Sequence, residues 1–188
     1  MKRKHRIDRQ VQKIVGIVCL SFLLGVLGGA LMANLLPPEA KGELSLFWQE
    51  RTMSVPSFLD VFWKYLKYDI LIWLGGWMQM GLFLSGAVFL FRSMAVGFTS
   101  AMLIAMHGIK GLLRAISFLP QNFLLVPAYI LMMSAALYYM THWQEEVGKR
   151  MLKREKRRKQ MEYCILFGIS VLLVFGAAGV ERMMLVGA

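Results

Sequence analysis

Three stretches of this chain run without a single charged residue: Ile14–Leu36, Ile70–Phe91 and Ala115–Thr141, of 23, 22 and 27 residues. A helix rises ~1.5 Å per residue and about 20 residues cross the hydrocarbon layer of a bilayer, so each run is long enough to span it. Two weaker stretches follow the same pattern. Ser93–Met106 is a largely apolar stretch of 14 residues, and Tyr163–Val180 is one of 18, closed by Glu181 and Arg182. The pattern predicts an all-α, polytopic integral membrane protein with about five transmembrane helices (14–36, 70–91, 93–106, 121–141 and 163–180) plus interfacial or re-entrant amphipathic helices.

The third uncharged run is interrupted by its own polar residues. Upstream of Pro120, Lys110, Arg114, Ser117 and Gln121 recur at i, i+4, i+7 and i+11, with Ile109, Leu112, Leu113 and Ile116 opposite. That spacing describes an amphipathic helix rather than one immersed in lipid. Pro120 removes a backbone donor and disfavours helix at Leu119, and Asn122 is placed to cap a following helix over Phe123–Thr141 that contains Pro127. The expectation is an interfacial or re-entrant helix, a break at Pro120-Gln121-Asn122, then a span. Irregular backbone at membrane depth is tolerated only where protein or a cavity surrounds it.

Between the first two predicted spans, 37–69 forms an outer loop. Its second half places Phe58, Leu59, Phe62 and Leu66 on one helical face and Asp60, Lys64 and Lys67 on the other, with Asp60 and Lys64 an i,i+4 pair. Trp63, Tyr65 and Tyr68 suit the headgroup layer. This reads as an interfacial helix, with Phe58, Phe62, Trp63 and Leu66 as the candidate partner-facing residues.

Composition strengthens the membrane reading. Hydrophobic residues make up 57% of the chain and charged ones 18%. The net charge of +11, which in a soluble protein points to nucleic acid, lies here beside the apolar runs. The arm 1–13 holds six Lys/Arg, the loop 142–162 holds eight, and Arg92 lies between the second and third predicted spans. Five spans with a cytoplasmic N-terminus keep all of these on one side, as the positive-inside rule requires. The basic arm and first apolar run resemble a signal peptide, but the run is too long for one and lacks a small-x-small cleavage site, so it is expected to remain as a span.

Small residues form packing stripes. Ser93, Gly97, Ala101 and Ala105 repeat every four residues, and Gly25 with Gly29 and Gly81 with Ser85 repeat the theme. Such stripes let helices approach closely. Packing within the chain is the expected use, and a homo-oligomer is the alternative. No chemistry stands out. Within the predicted spans there is no Asp or Glu, and neither a zinc-protease nor a phosphate-loop motif occurs. Ser100 and His107 lack an oxyanion context. Cys19 and Cys164 read as small core residues rather than as a disulfide or metal pair. The expectation is a protein that is not an enzyme, with no cofactor, no metal and no nucleic acid.

Two stretches carry a resemblance. "RSMAVGFTSAMLIAMHGIKGLLRAISFLPQNFLLVPAYI", Arg92–Ile130, and "LKYDILIWLGG", Leu66–Gly76, resemble the signature regions of the stage II sporulation protein M family. Pro120, Gln121, Asn122 and Pro127 carry its helix break. The wider family has Pro-His-Gly and a later glutamate there; this chain keeps Pro120, Pro127 and Ala128 but has Gln121, Asn122 and Leu125 at the others. The resemblance implies a membrane scaffold of forespore engulfment at the septal or engulfing membrane. Its implied partners are stage II sporulation proteins D and P, two membrane-anchored hydrolases that cut peptidoglycan outside the lipid bilayer. The loop 37–69 and the turn 107–114 would then face them. The competing expectation is a permease subunit of an ABC-type transporter, with Ile109–Leu119 as its coupling helix.

Overall fold

The computed structural model describes residues 2–44, 56–78, 80–117, 119–147 and 153–187, with side chains described over 10–44, 56–78, 80–105, 108, 121–141 and 157–184. All regular structure among them is helical: α1 (Lys2–Leu35), α2 (38–44), α3 (Phe58–Gly75), α4 (Gly81–Ser117), α5 (Leu119–Val147) and α6 (Lys153–Gly187). Among the described residues, four segments are long and apolar enough to cross a membrane: Gln10–Leu35, Gly81–Ala105, Gln121–Thr141 and Arg157–Met184. Large apolar side chains cover their outer faces, including Leu20, Leu24, Leu27 and Leu31 on α1, Phe83 and Phe91 on α4, and Ile165 and Leu172 on α6. Continuous apolar exposure on that scale fits lipid rather than water. The chain is an all-α, multi-pass membrane protein.

The uncharged run 70–91 is not a single helix. α3 ends at Gly75, the chain turns at 76–78, and α4 runs back along α3. Glycine permits the turn. A Cβ on Gly75 would lie 2.7 Å from Gly81 O, and one on Gly81 would lie 2.7 Å from Gly75 Cα. The turn is closed by Met78 N–H to Gly75 O (3.2 Å) and Gly81 N–H to Met78 O (2.9 Å). Two of the predicted spans are therefore recut. The end of 70–91 and the whole of 93–106 fuse into one helix, and the start of 70–91 joins the stretch expected to lie on the surface.

That stretch is the main departure from the sequence pattern. α3 lies within the bundle against α4, α5 and α6, and buries Val61, Tyr65, Asp69, Ile72 and Gly75. At 3.6 residues per turn this face is rotated by roughly a quarter turn from the apolar face expected at Phe58, Leu59, Phe62 and Leu66. Tyr65, expected among headgroups, is 3% exposed. Asp60 accepts from the N–H of Ser57 at the start of α3, and Lys64 reaches Glu181, so the expected Asp60–Lys64 pair is replaced. The physical reason lies in the partners: Tyr65 and Asp69 can be buried because Glu181 and Ser170 meet them inside the bundle, while Asp60, Lys64 and Lys67 stay on the exposed side.

The small-residue stripes join helices of this one chain. On α4, residues 81, 85, 89, 93 and 97 are all buried. Gly81 and Ser85 meet α3, where Ser85 Oγ donates to Ile72 O at 3.0 Å. Ser93 and Gly97 meet α1: a Cβ on Gly97 would lie 2.7 Å from Val26 C, and one on Gly29 would lie 2.7 Å from Met94 C. The rest of the predicted stripe departs, with Ala101 half-buried and Ala105 exposed. A four-residue repeat overshoots a 3.6-residue turn by about 40° per step, so a straight helix carries the stripe off the contact.

The break between α4 and α5 also differs in place. Gly108 (φ 55, ψ −130) interrupts the helical path of α4, in a region that side-chain-bearing residues rarely adopt. The amphipathic segment beyond it is helical to Ser117, while the side chains of Lys110, Arg114 and Ser117 lie outside the described residues. α5 then begins at Leu119, so Pro120 occupies its first turn, where a missing N–H costs no helical bond. Asn122 lies inside the helix and not at its cap. Gln121 is buried, Asn122 half-buried and Pro127 exposed within α5. Cys19 is half-buried, and Cys164, expected in the core, is exposed on α6.

Candidate functional site in the bundle core

The sequence offered no acidic group within a span, yet the core of the bundle holds two. Asp69 of α3 is fully buried, and Glu181 of α6 is 7% exposed. Asp69 Oδ1 accepts from Ser170 Oγ of α6 at 2.9 Å, and Ser170 Oγ also lies 3.3 Å from Ala128 O of α5. One hydroxyl thus ties three helices at one level. Oδ2 of Asp69 has no hydrogen-bond partner among the described residues.

Glu181 is held by α3. Its carboxylate accepts a hydrogen bond from Tyr65 OH and forms an ion pair with Lys64 Nζ at 3.3 Å. Helix geometry brings them together across different levels. Each Cα–Cβ bond tilts toward its own N-terminus, so on antiparallel helices Tyr65 and Glu181 lean toward each other.

Arg92 of α4, half-buried, supplies the cation. It was expected in a loop, but it sits one residue from the centre of the span Gly81–Ala105. Its guanidinium lies 5.2 Å from the Tyr65 ring centroid, 5.1 Å from Tyr68 and 5.2 Å from Tyr129. Three ring faces around one guanidinium replace water with quadrupole attraction, ~0.5–2 kcal/mol per ring according to desolvation. Its Nε makes no hydrogen bond among the described residues. Tyr129 OH donates to Tyr65 O at 3.1 Å, closing the arrangement.

Around this polar centre the packing is aromatic at both ends. Phe58 and Phe62, expected to face a partner, pack edge-on against Phe175 of α6 at 5.0 and 5.7 Å. Leu66 packs against the core, and only Trp63 of the four predicted residues stands free, 60% exposed. At the turn end, Trp73 stacks on Phe167 at 4.9 Å and Tyr139 on Tyr163 at 4.8 Å, while Tyr163 OH donates to Trp73 O at 2.9 Å. Ionisable residues inside a membrane bundle are costly and are kept for structure or function. Here Asp69, Arg92, Glu181 and Lys64 fix α3 against α4, α5 and α6. Among the described residues no three His, Cys, Asp or Glu side chains converge to hold a metal.

Sequence reasoning missed Asp69, Arg92, Tyr129, Ser170 and Glu181. A signal was present: Val61, Tyr65, Asp69 and Ile72 follow i, i+4, i+8, i+11, and Arg92 is the lone charge between Asp69 and Lys110. Over residues 18–184, the chain matches the family model described as Stage II sporulation protein M. No curated protein and no solved structure matches the chain.

Proposed function

Because the chain belongs to the stage II sporulation protein M family, we propose that this sporulation-related membrane protein is a non-enzymatic scaffold of the engulfment machinery. In this reading it recruits and localises peptidoglycan hydrolases, stage II sporulation proteins D and P, at the septal or engulfing membrane. The observation that carries the reading is the use made of the ionisable side chains within the bundle. Asp69, Arg92 and Glu181 bind helices to one another, as a fixed platform needs. A carrier that alternates its access would have to break those contacts in every cycle.

Charge gives the platform an orientation. The arm 1–13 and the loop 142–162, with six and eight Lys/Arg, belong on one side by the positive-inside rule. An even number of crossings must then separate them. α1, α4 and α5 are three, and α3 makes the fourth, although its four charged residues leave it outside the four most apolar segments. With α6 the chain crosses five times, the N-terminus is cytoplasmic, and the links 36–57 and 106–118 face the compartment that holds peptidoglycan.

The test is affinity purification of the tagged full chain in mild detergent from sporulating cells. Copurification of the two hydrolases is expected. A stoichiometric cytoplasmic ATPase in their place would overturn the scaffold reading in favour of a permease subunit.

A further inference from the structure

Lys67 stands on the outer face of α3, opposite the buried stripe, and it is exposed. Its neighbours on that face are Trp63, Leu71 and Leu74, all exposed, spaced i−4, i+4 and i+7 from it. Phe91 of α4, 60% exposed and 6.4 Å from the Tyr68 ring, borders the face on one side. Among the described residues, the Lys67 ammonium has no carboxylate partner; its recorded contact is the Tyr68 ring at 5.1 Å.

The depth of this lysine is what calls for a partner. The adjoining residues Tyr65, Tyr68 and Asp69 touch Arg92, Tyr129 and Ser170. Arg92 is one residue from the centre of Gly81–Ala105, Tyr129 two from the centre of Gln121–Thr141, and Ser170 at the centre of Arg157–Met184. Three spans therefore place Lys67 near the middle of the hydrocarbon layer. A four-methylene stem falls well short of the ~15 Å to either headgroup region, so snorkelling does not hydrate the charge. Charges at that depth pair with an opposite charge or face water.

We propose that the Trp63–Lys67–Leu74 face of α3 docks a membrane-spanning helix of a different protein that carries an Asp or Glu near its own midpoint. The apolar residues flanking Lys67 at helical spacing form a seam for one helix, and the ammonium supplies register and selectivity. A second copy of this chain is the wrong occupant. A two-fold axis along the membrane normal would set Lys67 against Lys67, and this chain's mid-depth carboxylate, Asp69, is turned into its own core. A lipid phosphate lies too far toward the surface. The inference deepens the scaffold reading, on which it rests for the partner's identity: the occupant is the membrane anchor of a recruited hydrolase.

The test uses the full-length chain in sporulating cells, with a photo-crosslinking residue at Trp63 or Leu74 and, as a lipid-facing control, at Leu24 of α1. Adducts to a membrane-anchored protein are expected at the first two positions and not at the third. Lys67→Glu should reduce them at least tenfold, and replacing the partner's intramembrane carboxylate with Lys should restore them. Because Lys67 is exposed, Lys67→Gln should leave the abundance and stability of the chain unchanged. Adduct yields at Trp63 and Leu74 equal to Leu24, adducts to a second copy, or adducts indifferent to Lys67→Glu would each overturn the proposal. So would rapid labelling of Lys67→Cys by a membrane-impermeant maleimide, which would mean that the face lines water. The two readings fail separately. Crosslinking to an anchored protein that is not a hydrolase keeps the face and removes the scaffold role, whereas hydrolases that copurify without crosslinking here do the reverse.

Discussion

Alanine placed at individual glycines of α1 and α4 separates packing from helix propensity in one experiment. At Gly97 a new Cβ would lie 2.7 and 2.9 Å from Val26 C and Cα, and at Gly29 it would lie 2.7 and 2.9 Å from Met94 C and Cα. Optimal carbon contacts are ~3.5–4.0 Å, so α1 and α4 must separate by roughly 1 Å. Both obstacles are backbone, which cannot rotate away. Overpacking of this kind costs about 1–3 kcal/mol. At Gly28 and Gly86, on the same two helices, nothing lies within 4 Å of the added methyl. There alanine gains ~0.5–1 kcal/mol of helix propensity and meets no clash. The assay is unfolding of the purified protein in mixed detergent micelles by added denaturing detergent, followed by circular dichroism. Gly29→Ala and Gly97→Ala are expected to unfold earlier than wild type, and Gly28→Ala and Gly86→Ala no earlier. Indistinguishable behaviour of the two pairs would refute the close α1–α4 approach, since the chemical change and the helices are the same.

Other expectations follow from the core. Ser170→Ala removes the donor to Asp69 and leaves a buried carboxylate unpaired, so it should destabilise the bundle by about 1–3 kcal/mol in the same assay, and Asp69→Asn, which keeps an acceptor, should cost less. Arg92→Lys should lose stability although it keeps the charge, because a compact ammonium cannot meet three tyrosine faces as a planar guanidinium does; stability equal to wild type would argue against the cage. Glu181→Ala strips partners from Tyr65 and Lys64 together, and the double variant with Tyr65→Phe should be less impaired than the sum of the two singles, which a double-mutant cycle measures. Gly108→Val, at φ 55, should cost about 1–3 kcal/mol or redirect the segment beyond it, and a distance measurement between spin labels on 81–105 and on 109–117 of α4 would register the change.

The solvent of this protein and the composition of its contacts are written in its sequence. Uncharged runs longer than a bilayer core and basic residues collected beside them admit a membrane bundle and little else. Ser93, Gly97, Gly25 and Gly29 were legible as contact residues because small side chains at four-residue spacing have one common use between helices. The tertiary structure alone decided how α3 is turned. Phe58, Phe62 and Leu66 on one side and Asp60, Lys64 and Lys67 on the other make an amphipathic pattern that suits a membrane surface. Burial of Asp69 and Tyr65 is favourable only once Ser170, Arg92, Tyr129 and Glu181 are in place. Those partners lie 27 to 116 residues away along the chain. No local pattern encodes a hydrogen bond across that separation, so the polar centre of the bundle came into view only with all of its helices present.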